Sequence, residues 1–163
     1  MSKVRCLHAP APDLATRLAA HGLAGAREES MPHTGFSGAL LTRLVRDDGA
    51  RFVLKRIDIS RDWIMRATND TSCREAMFAA AAPNLPEGIA TPTLGVARDG
   101  DGYALLMHDI TGDLLPQGVV GDVVVRTILE RLSALHASSP PEGVSWCDLH
   151  LRLTLLTPQR LPV

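Results

Sequence analysis

Residues 34–57 read TGFSGALLTRLVRDDGARFVLKRI. Two apolar-rich runs, 39–46 and 51–57, flank Asp47-Asp48-Gly49-Ala50. Glycine accepts the positive φ that a tight reversal requires, so this spacing predicts an antiparallel hairpin. Within the second run a single lysine, Lys55, follows Phe52, Val53 and Leu54 and stands two residues before Ile57. A lysine in such a strand either points out of the sheet into water or is placed to hold an anion. Its surroundings in the chain bear on which.

On the N-terminal side, Asp13 is positioned to cap a short helix carrying Leu14 and Leu18 one turn apart, with Gly22 past its end. The polar stretch AREESMPHTG, 26–35, is expected to contain an edge strand. On the C-terminal side, 61–82 has helical character broken at TNDTS, whose residues prefer caps and turns. The second half of that region opens with Ser72-Cys73-Arg74-Glu75, the spacing of a capping box. Two further strands, 93–98 and 102–107, are joined at Asp99-Gly100-Asp101, and DITGDLLPQG follows as a loop. Asp122 is expected to cap a helix reaching Ala137, with Ile128, Leu129, Leu132 and Leu135 on one side. After the linker SSPPEG, Leu149, Leu153 and Leu156 predict a last amphipathic helix over 146–156. Strands that cluster around an inserted helix and are followed by helices imply an α+β fold.

The 163 residues suffice for one domain, or one domain and a piece of another. Apolar content of 45% and charged content of 21% are ordinary globular usage and support a core. A net charge of −1 argues against nucleic-acid binding and leaves room only for a local basic site. No run is long and apolar enough to imply a membrane span, and the first residues lack the apolar stretch of a secretory signal. Cys6, Cys73 and Cys147 are widely separated and show no CxxC spacing. They read as reduced thiols in a cytoplasmic protein without a zinc site.

Four features bear on chemistry. Gly35 and Gly38 let the backbone around Phe36 and Ser37 approach a ligand, leaving N–H groups for phosphate oxygens. Lys55 lies on the strand that pairs back against that loop. Glu75 opens the next long helix, where it either completes the capping box or reaches Lys55. YALLMHDI, 103–110, is an apolar strand with a polar exit that can offer backbone groups to a flat ring. Phosphate loop, cation, carboxylate and ring-edge strand, in that order, make the nucleotide half of a kinase-type site. His108 and Asp109 are implicated through their backbone, His136 reads as a helix-end residue, and Asp148 and His150 read as solvent-facing.

On GFSGALLTRLV, Lys55 in FVLKRI, Glu75 in CREAMF, YALLMHDITGDLLP and ILERLSALHA, residues 32–137 resemble the N-terminal lobe of the aminoglycoside phosphotransferase family, which has a protein-kinase-like fold. The resemblance implies a nucleotide-binding lobe over 1–110, then a hinge and the helical start of a second lobe over 111–163. It implies ATP or GTP phosphates under Gly35, Phe36, Ser37 and Gly38, with Lys55 on the α/β-phosphates and Glu75 holding Lys55. Met107, His108 and Asp109 would line the adenine. The departures are as informative. The family's HGD-like catalytic motif lies beyond the Leu-His helix, and here Asp148 is the nearest imitation. Trp146 then replaces the histidine and Leu153 the metal-binding asparagine, and no magnesium aspartate follows. The expectation is the ATP-binding part of a small-molecule phosphotransferase, inactive as this chain, taking a hydroxyl acceptor only if completed by a second lobe. The alternative is a non-catalytic kinase-like module that pairs with another chain, including a homodimer through Ile128, Leu132, Leu135 and the last helix. A plain α+β domain without a nucleotide site is the third possibility.

Overall fold

The computed structural model describes residues 11–31, 37–81, 85–113 and 120–138. The elements are α1 (Leu14–Ala20), β1 (Arg27–Ser30), β2 (Leu40–Val45), β3 (Arg51–Ile57), α2 (Trp63–Ala67), α3 (Arg74–Ala80), β4 (Thr93–Asp99), β5 (Gly102–His108) and α4 (Asp122–Ala137). One 3-10 turn, Thr111–Asp113, falls in the loop after β5. The fold is mixed α+β, and all five strands form one antiparallel sheet in the order β1-β2-β3-β5-β4.

The hairpin runs from Leu40 opposite Arg56 to Val45 opposite Arg51. Asp48 organises its turn. Its Oδ1 accepts from the Ala50 N–H at 3.0 Å and from Arg46 Nε at 2.9 Å, and these bonds, Arg46 foremost, hold the carboxyl down at about 2. In the second hairpin Asp99 pairs with Gly102, so β4 takes in one residue more than expected and the reversal is Gly100-Asp101 alone.

β3 and β5 occupy the middle of the sheet and are buried on both sides, which explains their almost unbroken apolar runs. On one face Leu44, Phe52, Leu54, Ala104 and Leu106 meet Leu23, with Leu14 and Leu18 of α1 packed against them. On the other, Ile57, Val96, Tyr103 and Leu105 meet Met65 of α2 and Cys73 and Ala76 of α3. Leu54 and Leu106 pair across the sheet and are fully buried, each burial worth about 1.5–3 kcal/mol. The two rims differ. β1 is an edge of charged and hydroxyl side chains, whereas β4 is flanked by the segment before α1, where Arg98 donates its N–H to Pro12 O at 2.8 Å.

Asp13 caps α1 as expected, accepting the Thr16 N–H at 2.9 Å. Two other capping expectations fail. The residue before α4 is Gly121, and Asp122 is already helical, where its charge favours the helix N-terminus without a side-chain bond. The capping box at Ser72–Glu75 does not form either. Cys73 is the N-cap, in left-handed backbone with φ +53, and Ser72 turns its hydroxyl to Asp70 Oδ1 at 3.2 Å. Asp70 caps instead, taking the Arg74 N–H with both oxygens at 3.2 and 3.0 Å and the Arg74 guanidinium at 3.2 Å. No residue of α4 is buried, and the helix is tied back through Arg131 Nη1, which donates to Glu87 O at 2.7 Å. The helix expected over 146–156 lies outside the described residues. Among those described, no helix is long and apolar enough to cross a membrane.

Candidate functional site

Strand alternation sends Val53, Lys55 and Ile57 toward the α2–α3 face. Across β5 their partners are Met107, Leu105 and Tyr103, and across β2 Lys55 faces Leu41. Ile57 and Leu105 are buried there, while the Lys55 side chain keeps 25% of its surface exposed. Its stem therefore lies along apolar neighbours and its ammonium emerges at the margin. Nζ donates to Glu75 Oε1 at 2.6 Å. Glu75 can do this because Asp70 serves the helix start in its place, leaving the Glu75 carboxylate in the first turn of α3 to reach the sheet.

The chain has only two lysines among its 17 basic residues, Lys3 and Lys55. Arginine serves the structural ion pairs. Arg43 Nε pairs with Asp109 at 2.7 Å, and Arg56 bridges Asp99 at 3.0 Å, Thr42 at 3.0 Å and Glu28 at 3.7 Å. At Lys55 the sequence instead places a compact ammonium with three donors, two of them available beyond Glu75.

The remaining expected site residues are distributed as follows. Gly35 and Phe36 lie outside the described residues. Ser37 accepts the Trp63 N–H through its carbonyl at 2.9 Å, and its hydroxyl accepts the Ala39 N–H at 3.4 Å. Gly38 has φ +90, and a Cβ there would sit 2.5 Å from Arg61 O. Its close approach is thus to the backbone entering α2, a reason for glycine that needs no ligand. Met107, His108 and Asp109 do not share a face. Met107 is on the Lys55 side, opposite Val53. His108 is on the other, its ring stacked on Phe52 with centroids 6.0 Å apart. The Asp109 carboxylate is engaged by Arg43 and by the Thr111 N–H and hydroxyl. Burial raises its pKa, but these hydrogen bonds outweigh that and leave it below the usual value. The N–H groups of His108 and Asp109 are directed to Pro92 O and Arg51 O at 2.9 and 3.4 Å.

Sequence reasoning missed Asp70, Arg43 and Arg56 as organising residues. Asp70 stands four before Arg74, the spacing of a helical ion pair, and that was the available signal. Cys73 is no candidate nucleophile: burial above all pushes its thiol up to about 12. Among the described residues no group of three or more His, Cys, Asp or Glu side chains is arranged to hold a metal ion. A cavity of about 480 Å³ opens beside Glu75, lined by α3 and β4, and Lys55 is not in its lining. Compared with protein-family models, curated proteins and solved structures, the chain gives no match.

Proposed function

We propose that this sheet and its inserted helices form the ATP-binding lobe of a small-molecule phosphotransferase of protein-kinase-like fold. The observation that carries the reading is the Lys55–Glu75 ion pair, 2.6 Å long, joining the middle strand to the helix inserted between β3 and β4. The strand order β1-β2-β3-β5-β4 supports it, because it sets β3 beside the strand that leads out of the lobe. Lys55 offers its free donors to the α/β-phosphates while Glu75 fixes its direction. Val53 and Met107, paired on the same face, supply an apolar shelf for the adenine. Ser37 and Gly38, held against the entry to α2, lie just before β2 on the phosphate side of this reading. Magnesium and the base for the acceptor hydroxyl belong to a completing second lobe.

The test is thermal. ATP in excess, with and without magnesium, raises the melting temperature of the full chain; saturation to ~100 times Kd stabilises by roughly 2.7 kcal/mol. Lys55→Ala abolishes that shift and leaves the unliganded melt nearly intact, since a half-exposed ion pair contributes only about 0–1 kcal/mol. No shift at millimolar ATP in the parent overturns the reading.

One observation favours the second reading, a non-catalytic module that associates with another chain. Val124, Val125, Ile128, Leu129 and Leu132 of α4 are all exposed, Leu129 by 58%. Such a face is what a partner helix covers, and the partner proposed is a second copy.

A further inference from the structure

The cavity beside Glu75 is built differently from the Lys55 site. Its walls are in larger part apolar, with Phe78 and Ala79 from α3 and Val96 and Leu105 from the sheet, and Thr91 and Thr93 add hydroxyls on the β4 side. Two charged groups enter them. Glu75 is already matched by Lys55 at 2.6 Å and adds no net charge. Arg17, from the last turn of α1, is not matched: its Nε donates to Val96 O at 3.1 Å, and among the described residues no carboxylate lies within ion-pairing distance of it.

Arg17 is admitted by a specific gap. A Cβ on Gly95 would lie 2.9 Å from Arg17 Cζ, so the guanidinium rests on a stretch of bare backbone, beside the bulge where the β4–β5 register shifts between Thr93 and Gly95. With Nε committed to the Val96 carbonyl, both terminal nitrogens keep their donors. A guanidinium presents such a fork to a carboxylate in the geometry it binds best. A pocket of about 480 Å³ with mainly apolar walls, a few polar groups and one cation without a carboxylate partner among the described residues is the usual construction of a small-ligand site.

We infer that this pocket binds a small monocarboxylate with an apolar body, aliphatic or aromatic. Arg17 takes the carboxylate, and Phe78 and Val96 cover the body. This site meets the nucleotide reading only at Glu75 and does not depend on it.

The experiment is a titration of the full chain with octanoate, followed by amide NMR at Gly95 and Ala80, with 1-octanol and octylammonium as controls. Octanoate gives saturable shifts at both amides, and octanol binds at least about tenfold more weakly, as expected when a charge-assisted pair is lost. Arg17→Gln lowers octanoate affinity by a similar factor. Ala80→Trp, which fills the cavity from an exposed position on α3, removes the Gly95 shift even if Arg17→Gln fails to fold. Equal binding of octanoate and octanol, tighter binding of octylammonium, or no saturable shift at millimolar octanoate overturns the assignment.

Discussion

Cys73 combines two conditions that rarely coincide, a left-handed backbone and a buried thiol, at the start of α3. Burial is the main cause of its raised pKa of about 12, with the Asp70, Glu75 and Asp62 carboxylates adding to it against a hydrogen bond from Ala76. The unfolded thiol ionises near 9, so above that pH the unfolded chain has lost a proton the folded chain keeps. Stability from this group is complete below pH 9 and declines as pH rises through 12, by about 1.4 kcal/mol per unit. Urea melts of the parent and Cys73→Ala should therefore converge between pH 9 and 11, and parallel curves would refute the assignment. The same residue explains why Lys55 was easier to read than its partner. One lysine among Phe52, Val53, Leu54 and Ile57 asks for an explanation in any alignment of the strand. Glu75 fitted both a capping box and an ion pair, and spacing alone does not separate them. The φ of Cys73 does, by turning Ser72 toward Asp70, and no local pattern announces that φ.

Periodicity was enough for the strands: the two hairpins, their turns and the inserted helical region were legible because apolar alternation and turn residues act locally. The helix starts were not, because capping depends on which acceptor arrives first in space. Asp70→Ala should lower stability by about 1–2 kcal/mol, whereas Asp70→Asn, which still accepts the Arg74 N–H, should lose less. Identical melts for the two variants would show that the carboxylate is not the cap. Gly38 gives the corresponding test of the loop. Gly38→Ala meets both the positive φ and the Arg61 carbonyl, while Gly25→Ala, at φ +80 with nothing within 4 Å, meets only the first. The left-handed backbone costs about 1–2 kcal/mol at either position. A clearly larger loss at position 38 is the signature of the backbone contact, and equal losses would remove it. Two glycines in a short loop read as a phosphate cradle, and Gly38 has in addition a close neighbour of its own in the Arg61 carbonyl, 23 residues further along the chain.

The proposed association rests on α4. Val124, Ile128 and Leu132 recur every four residues, symmetric about Ile128, and share one exposed face of the helix. Two copies crossing antiparallel at Ile128 would bring Val124 of each against Leu132 of the other, an apolar seam with the charged residues Arg126 and Glu130 on the far side of each helix. Light scattering should give a mass near twice 17.5 kDa. Leu132→Glu should return it to monomer with the sheet still folded, and a concentration-independent monomer in the parent would exclude the pairing. The apolar spacing of this helix was plain in the sequence. Its exposure was expected from the resemblance, because no second lobe follows to cover it, and not from the spacing, which serves a helix buried within its own domain equally well.

The charged rim at β1 has a further bearing on how such molecules can go wrong. An edge strand with open backbone groups is a template for cross-β growth unless something spoils it. Arg27, Glu28 and Glu29 spoil it on one side, and the Pro12–Asp13 segment occupies Arg98 on the other. Stacking of sheets into fibrils is thereby discouraged at both borders, and among the described residues the exposed apolar side of α4 is the surface left for the proposed association. Concentrated or stressed samples should accordingly form soluble, helix-joined clusters that leave thioflavin dark.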